Sequence, residues 1–402
     1  MSGSPAYNPA TMAPPVAKTI GQRSLIVGVV FSVIAIIGAV PRPGQFFRGY
    51  LLAFMAWLGV TLGSMAILMI RHLTGGGWGM VIRRIMGAAM RCIPLMTVLF
   101  VPMLFGLPYL YIWDRPLGAI PDVHLREHLQ DLTRSYLSVH GIIIRAIIYF
   151  AIWNLLSFLL TKWSREQDQP GAPDNSGKFK AVSGPGLILY AFTISFAVID
   201  WVMSIDPSWI STIYGLILLI GQVLSAMCFA VVVERILVNY KPMSDWLKPD
   251  FVQDHGKWML TFVMVWAYFA FSQWLIIWAG NLPEEITWYM RRLYGGWGPI
   301  GLVLAGLGFA LPFLMLLSRP FKRNIRKLVW LAVWLMIIRY VDLFWIIEPN
   351  YSATLSVTWA DVVLPVAMGG LWLWFFFRNL ASIPLLPVYD ADAKEVLEPA
   401  HG

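Results

Sequence analysis

Apolar positions along this chain gather into ten blocks, at 24–40, 50–70, 92–113, 141–160, 186–204, 210–233, 258–280, 298–317, 327–347 and 360–380. Most approach the ~20 residues that a helix needs to cross a bilayer. The alternation of apolar and polar residues that marks an outer-membrane barrel strand is absent, so that fold is excluded. The expected fold is all-α and integral to a membrane, with ten transmembrane helices. Pro94, Pro102 and Pro108 in span 3, Pro312 in span 8 and Pro365 in span 10 predict kinks or widened packing. The first block is the shortest and follows a polar leader with Pro5, Pro9, Pro14 and Pro15. No small-x-small site closes it, so it reads as a retained helix and not a cleaved signal.

The blocks divide the chain into an N-terminal tail (1–23), spans 1–4 (24–163), a linker (164–185), spans 5–10 (186–380) and a C-terminal tail (381–402). No soluble domain and no short-period repeat is visible. Within the first group, residues 114–140 form a long loop with Leu125, Leu129, Leu132 and Leu137 at amphipathic spacing, suited to lying on the membrane surface. The linker is rich in Gly, Pro, Asp and Ser, which predicts a mobile hinge between two helical groups.

Composition agrees with the pattern: 58% of residues are hydrophobic and 13% charged, too few charges to coat a soluble protein of 402 residues. The net charge of +8 would suggest nucleic acid in a soluble chain. Here it reflects loop asymmetry. With both termini on one side, that side carries 21 of the 30 Lys and Arg and the opposite loops carry 7; Arg145 and Arg339 lie within spans. The positive-inside rule therefore places both termini in the cytoplasm. The densest basic group, Arg319, Lys322, Arg323, Arg326 and Lys327, reads as part of this topology signal. Cys92 and Cys228 lie in apolar segments, which excludes a disulfide scaffold.

The six histidines (His72, His124, His128, His140, His255 and His401) fall at span edges, in loops or in the tail, leaving no interior pair for a haem. Two isolated cysteines cannot hold an iron–sulfur cluster. His124-Leu-Arg-Glu127-His128 matches a zinc-peptidase pattern. On a short interfacial helix it reads as a polar face. The Trp and Tyr wealth reads as interfacial belt and helix packing.

Charges within spans are costly and mark function by default. Arg145 lies about one turn inside the outer end of span 4, with His140 at its mouth. Asp200 lies near the outer end of span 5, and Asp206 just beyond. Arg339 and Asp342 share one face of span 9. These groups are expected to converge in the periplasmic half, pairing as Arg145 with Asp200 or Arg339 with Asp342. Purely architectural pairs are the competing reading. Tyr190, Thr193, Asp200 and Ser204 share a face of span 5. Thr261, Tyr268 and Ser272, with Gln273 adjacent, do so in span 7. Both stripes predict polar seams running toward the cytoplasmic side, where no carboxylate is expected in mid-span.

Six stretches carry a family likeness. They are Tyr136-Leu137 through Arg145 to Trp153; Asp200-Trp-Val-Met-Ser-Ile-Asp206 continuing to Gly215; Trp266 to Gln273; Asn281-Leu-Pro-Glu284-Glu285 continuing to Tyr289; Leu311-Pro-Phe; and Arg339-Tyr-Val-Asp342-Leu-Phe-Trp345. Over residues 130–380 the chain resembles the ActF family of bacterial alternative complex III, the second of two polysulfide-reductase-type (NrfD-like) membrane subunits in that quinol-oxidising respiratory complex. The first 120 residues match only in topology.

The resemblance implies two four-helix bundles, spans 2–5 and 6–9, flanked by spans 1 and 10, in the bacterial inner membrane. It implies partners: a sister NrfD-like membrane subunit, an iron–sulfur subunit, multihaem and monohaem cytochrome c subunits and, in some assemblies, a terminal oxidase, besides membrane lipid and without nucleic acid. Haem c and iron–sulfur clusters would belong to those partners, and this non-catalytic subunit would bind no cofactor beyond quinol, if that. Its implied role in electron transport is proton translocation coupled to quinol oxidation elsewhere in the complex. The candidate path is Arg145, Asp200, Arg339 and Asp342, with His140 and Asp206 toward the exit. On this expectation Asp200→Asn and Asp342→Asn both lower proton release while sparing assembly. Rival readings are a quinol-binding subunit of the same complex, an ion-coupled secondary transporter, and a structural anchor for periplasmic cytochromes.

Overall fold

The structure is a computed structural model describing residues 12–116, 118, 120, 122–168, 171 and 173–385. Expectations for residues 1–11 and 386–402, His401 included, lie outside the described residues. Among the described residues, ten helices are long and apolar enough to cross a membrane: Pro15–Ala39, Pro43–Thr74, Gly77–Leu104, Val139–Glu166, Ser176–Ile205, Tyr214–Leu237, Pro249–Gly280, Gly298–Leu317, Ile325–Asn350 and Ala360–Ala381. They match the ten apolar blocks in order and are numbered spans 1 to 10. The chain is a multi-pass membrane protein. Among the described residues no β-strand forms. An isolated bridge between Met12 and Pro384 brings the two ends of the described chain together.

Small residues decide the closest helix crossings, since between apolar helices only close packing and hydrogen bonds discriminate. Span 1 lies along span 10, where a Cβ on Gly370 would overlap the Gly28 nitrogen. Span 2 runs through the centre and touches spans 3, 5, 6, 9 and 10. Its Gly59-Val60-Thr61-Leu62-Gly63 segment has small–xxx–small spacing, and a Cβ on Gly63 would overlap the Gln222 carbonyl of span 6. That crossing seats Gln222 in the middle of the protein. Span 4 packs on spans 3 and 5, span 7 on spans 6 and 8, and span 9 on spans 6 and 8.

Span 3 consists of two helices. The first, Gly77–Met90, is buried almost throughout. Gly79 packs against Arg71 of span 2, the Trp78 carbonyl meets His255 of span 7, and Asn379 of span 10 donates to the Ala88 carbonyl at 3.2 Å. This helix therefore lies across the terminal-side ends of other spans, and the apolar crossing starts near Arg91, as the 92–113 block predicts. Span 8 carries a π-helical segment, Leu304–Ala310, just before Pro312. There the Leu311 N–H reaches back five residues to the Gly306 carbonyl. The Leu307 carbonyl thus released accepts from the Trp334 indole at 2.9 Å, as a helix irregularity within a membrane span requires.

Two extramembrane expectations change. Spans 4 and 5 extend well beyond their apolar blocks, leaving only residues 167–175 between them. Gln167 and Asn175 are buried. Arg83 donates to Gln167 at 3.1 Å, Arg84 pairs with Asp168, and Asn175 donates to the Trp163 carbonyl at 3.2 Å. The described part of the linker is stitched down and is no free hinge. Burial outweighs Arg84 and holds the Asp168 carboxyl above the usual range. In the 114–140 loop, Val123–Ser135 is helical and capped by Asp122, which accepts from the Leu125 N–H at 3.2 Å. Its apolar stripe packs on the protein itself, with Leu129 and Leu137 buried. His124, Glu127 and His128 lie on its other face.

Candidate functional site

The charges predicted within spans form two separate clusters. In the first, Arg145 of span 4 grips Asp200 of span 5: Nε donates to Oδ2 at 2.9 Å and Nη2 to Oδ1 at 2.9 Å. Nη1 donates to the Tyr136 carbonyl at 3.1 Å, and the guanidinium lies 3.9 Å from the Tyr136 ring centre. The Tyr149 hydroxyl donates to Asp200 Oδ2 at 2.9 Å, and Asp200 is wholly buried. A bidentate charge-assisted pair plus a phenol uses the carboxylate on both oxygens. Burial and then the Asp200 charge push the Tyr136 phenol up to about 12, so it stays neutral.

The second cluster belongs to span 9. Arg339 and Asp342 pair one turn apart, both buried, and the Arg339 guanidinium lies 4.3 Å from the Trp266 ring of span 7. This pair lines a cavity of about 150 Å³ between spans 2, 6, 9 and 10, together with Gly221, Gln222, Ser225 and Pro365. The Gln222 Oε1 accepts from the Tyr190 hydroxyl of span 5 at 2.9 Å, while its Nε2 is buried with no hydrogen-bond partner. Such a space, with polar groups on its wall, has room for several waters. Pro365 shapes the wall. Lacking an N–H, it cannot bond the Asp361 carbonyl one turn back, and that oxygen accepts from the Tyr340 hydroxyl at 2.5 Å. Trp57 of span 2 donates to the Pro365 carbonyl at 3.0 Å.

Among the described residues, nothing hydrogen-bonds or ion-pairs one cluster to the other, so the expected single convergence resolves into two sites. Asp206 stands apart, pairing with Arg291 at 2.5 Å and accepting from Ser208 at 2.6 Å. His140 is exposed at the mouth of span 4. The span 5 stripe faces inward as expected, with Tyr190, Thr193, Asp200 and Ser204 all buried and Trp153 donating to Thr193 at 2.8 Å. The span 7 stripe does not: Thr261 and Tyr268 are exposed, and only Gln273 is buried, accepting from Ser211 at 3.1 Å. Equal spacing cannot tell an inward face from an outward one.

No family model matches this chain. No curated protein matches it either.

Three buried polar groups escaped the sequence reading. On the terminal side, Glu234 of span 6 meets His255 Nδ1 of span 7 at 3.0 Å, and His255 Nε2 lies 2.8 Å from the Trp78 carbonyl. Both side chains are fully buried. Thus a carboxylate is buried in that half, and His255 is no edge residue; His72 is likewise buried, stacked on Phe179. Helix 77–90, which covers this pair, was the missing information. On the far side, Glu348 and Asp361 are buried within electrostatic reach of Arg48, and Glu348 Oε1 and Asp361 Oδ1 have no hydrogen-bond partner. Arg292 is fully buried, with no carboxylate hydrogen-bonded to it among the described residues. It donates to the carbonyls of Trp288 at 2.8 Å, Trp345 at 3.1 Å and Ile346 at 2.5 Å. A cation on the last carbonyls of span 9 offsets its dipole and pins the helix Pro283–Leu293 to it.

Proposed function

We propose that this chain is a membrane subunit of a quinol-oxidising respiratory complex of the alternative complex III type, and that it carries part of a coupled proton path without a redox centre of its own. Support for the family comes from the strings around Arg145, Asp200, Asn281 and Arg339. Support for the role comes chiefly from one observation: the Arg339–Asp342 pair borders a cavity lined by Gln222, whose Nε2 has no hydrogen-bond partner among the described residues. A carboxylate in such a place can change protonation if water enters, and an intramembrane ionisable group marks a functional site, proton relays among them, by default.

On this reading the terminal side is cytoplasmic and the membrane is the bacterial inner membrane. Spans 2–5 and 6–9 act as two bundles with spans 1 and 10 alongside, a grouping supported by the packing of span 1 on span 10 and of spans 6, 7, 8 and 9 on one another. Glu234 and His255 serve the cytoplasmic half, Asp342 the centre, and Asp206, with His140 at the surface, the periplasmic exit. Arg145 and Asp200 hold spans 4 and 5 in place. Partners supply the haems c and iron–sulfur clusters.

Gentle affinity purification of the chain from native membranes, followed by a native gel and a visible spectrum, tests the assembly. Co-migrating c-type haem, an iron–sulfur protein and a second polytopic membrane protein are expected. A colourless chain running alone with native assembly preserved overturns the reading and favours a transporter.

A further inference from the structure

Within the densest basic group of the sequence, Arg323 pairs with Asp250 and Arg319 donates to Gln253 at 3.3 Å. A different basic group lines a groove. Where spans 3, 4 and 10 meet at their terminal-side ends, a groove of about 680 Å³ is lined by Arg91, Lys162 and Arg165, with Glu166 the one acidic side chain on its wall among the described residues. Arg91 is held in the wall, donating to the Asn379 carbonyl at 2.5 Å and to Ser382 at 3.2 Å. Lys162 and Arg165 are exposed and make no side-chain hydrogen bond or ion pair among the described residues. Glu166 is turned toward Asn175, 3.4 Å away.

Thr161, also on this wall, has a buried hydroxyl with no partner. A threonine in a helix ordinarily satisfies its hydroxyl on the carbonyl one turn back, so this one is left available. Below the cations the wall carries the apolar Pro94, Phe158 and Phe375 beside the polar Asn154 and Ser157. Phe158 and Leu155 are exposed on the same face of span 4. The order along that helix is thus Leu155, Phe158, Lys162, Arg165, at steps of three and four residues. An apolar strip ending in unpaired cations at the edge of a membrane span has the layout of an acyl chain below a phosphate.

We propose that this groove binds an anionic phospholipid from the leaflet on the side of the termini, with Lys162 and Arg165 on the headgroup phosphate, Thr161 within reach of its oxygens, and the acyl chain along Phe158 and Phe375. Two more cations than carboxylates line the groove, which favours an anionic over a zwitterionic lipid. The binding is independent of the respiratory reading.

The test uses the purified full chain in mild detergent, titrated with phosphatidylglycerol or phosphatidylcholine and read by native mass spectrometry. Phosphatidylglycerol should bind more tightly. Lys162→Gln/Arg165→Gln should weaken it about thirtyfold, two surface cations at their usual worth, while leaving phosphatidylcholine and the thermal midpoint unchanged. Lys162→Arg/Arg165→Lys should restore it. Equal binding of the two lipids, or an unaffected Gln double variant, overturns the proposal. Displacement of the lipid by millimolar inorganic phosphate would assign the cations to free phosphate and also overturn it. So would a photo-crosslinker at Phe158 that captures a protein neighbour in native membranes where lipid is expected.

Discussion

The two buried arginine–aspartate pairs look equivalent in sequence and differ in their surroundings. Around Asp200, both carboxylate oxygens are bonded by Arg145, Tyr149 adds a third donor, and the guanidinium is completed by the Tyr136 carbonyl and ring. Around Asp342, the partner is one turn away on the same helix, and beyond it lies a cavity with the unpartnered Gln222 amide on its wall. A saturated pair joining two helices has no easy second state, because losing either charge strands the other in low dielectric. A pair beside a mostly apolar cavity with a few polar groups on its wall can exchange protein contacts for water where water enters. The first arrangement suits architecture and the second suits proton chemistry.

The sharpest way to break this contrast is to make the same substitution at both sites. Asp200→Asn should cost about 3–5 kcal/mol by stranding Arg145, seen as loss of thermal stability in detergent. A double change of Arg145 and Asp200 to Met and Leu should recover much of that loss. If Asp200→Asn were as mild as Asp342→Asn, the contrast would fail. Next in size, Gly63→Ala should cost about 1–3 kcal/mol by overpacking, since its Cβ would overlap the Gln222 carbonyl. It should also lower proton release per electron in the assembled complex, by shifting the cavity wall. Asp342→Asn also leaves a buried arginine, Arg339, without its partner, and should cost about 1–3 kcal/mol where cavity water takes over the guanidinium, yet lower proton release per electron while electron transfer continues. An unchanged proton ratio would return the span 9 pair to architecture.

The smallest effect lies far from both pairs. Asn281 closes span 7 in the left-handed region, φ 46°, ahead of Pro283 at the start of the next helix. Asn281→Gly should change stability by under about 1 kcal/mol, whereas Asn281→Val should cost about 1–2 kcal/mol. Thermal melts of the pair would measure it.

The Asn-Leu-Pro-Glu-Glu string has a plain local cause: a left-handed helix end, a proline where no N–H is needed, and acidic residues at a helix start. Arg145 with Asp200 was readable too, because an apolar helix tolerates a charge only with a partner. Glu234 was not. It sits beside Arg235 near a span end, where a sequence reads as interfacial, and becomes interior only because helix 77–90 lies over it and presents the Trp78 carbonyl to His255. The same cover turns Arg83 and Arg84 inward and ties down Gln167 and Asp168, in a stretch that composition alone read as a hinge. Thr261 and Tyr268 had the right spacing and the wrong side.

What the sequence determined by itself is the number, order and approximate length of the ten helices. Backbone groups in a bilayer must be satisfied within their own segment, so apolar length translates directly into helix. What only the tertiary structure decided is which polar residues meet and which remain unsatisfied. In a membrane both faces of a helix are apolar, so facing is chosen by close packing at sites such as Gly63 against Gln222. That choice places an unpartnered amide beside Asp342 and leaves Asp200 with every hydrogen bond made.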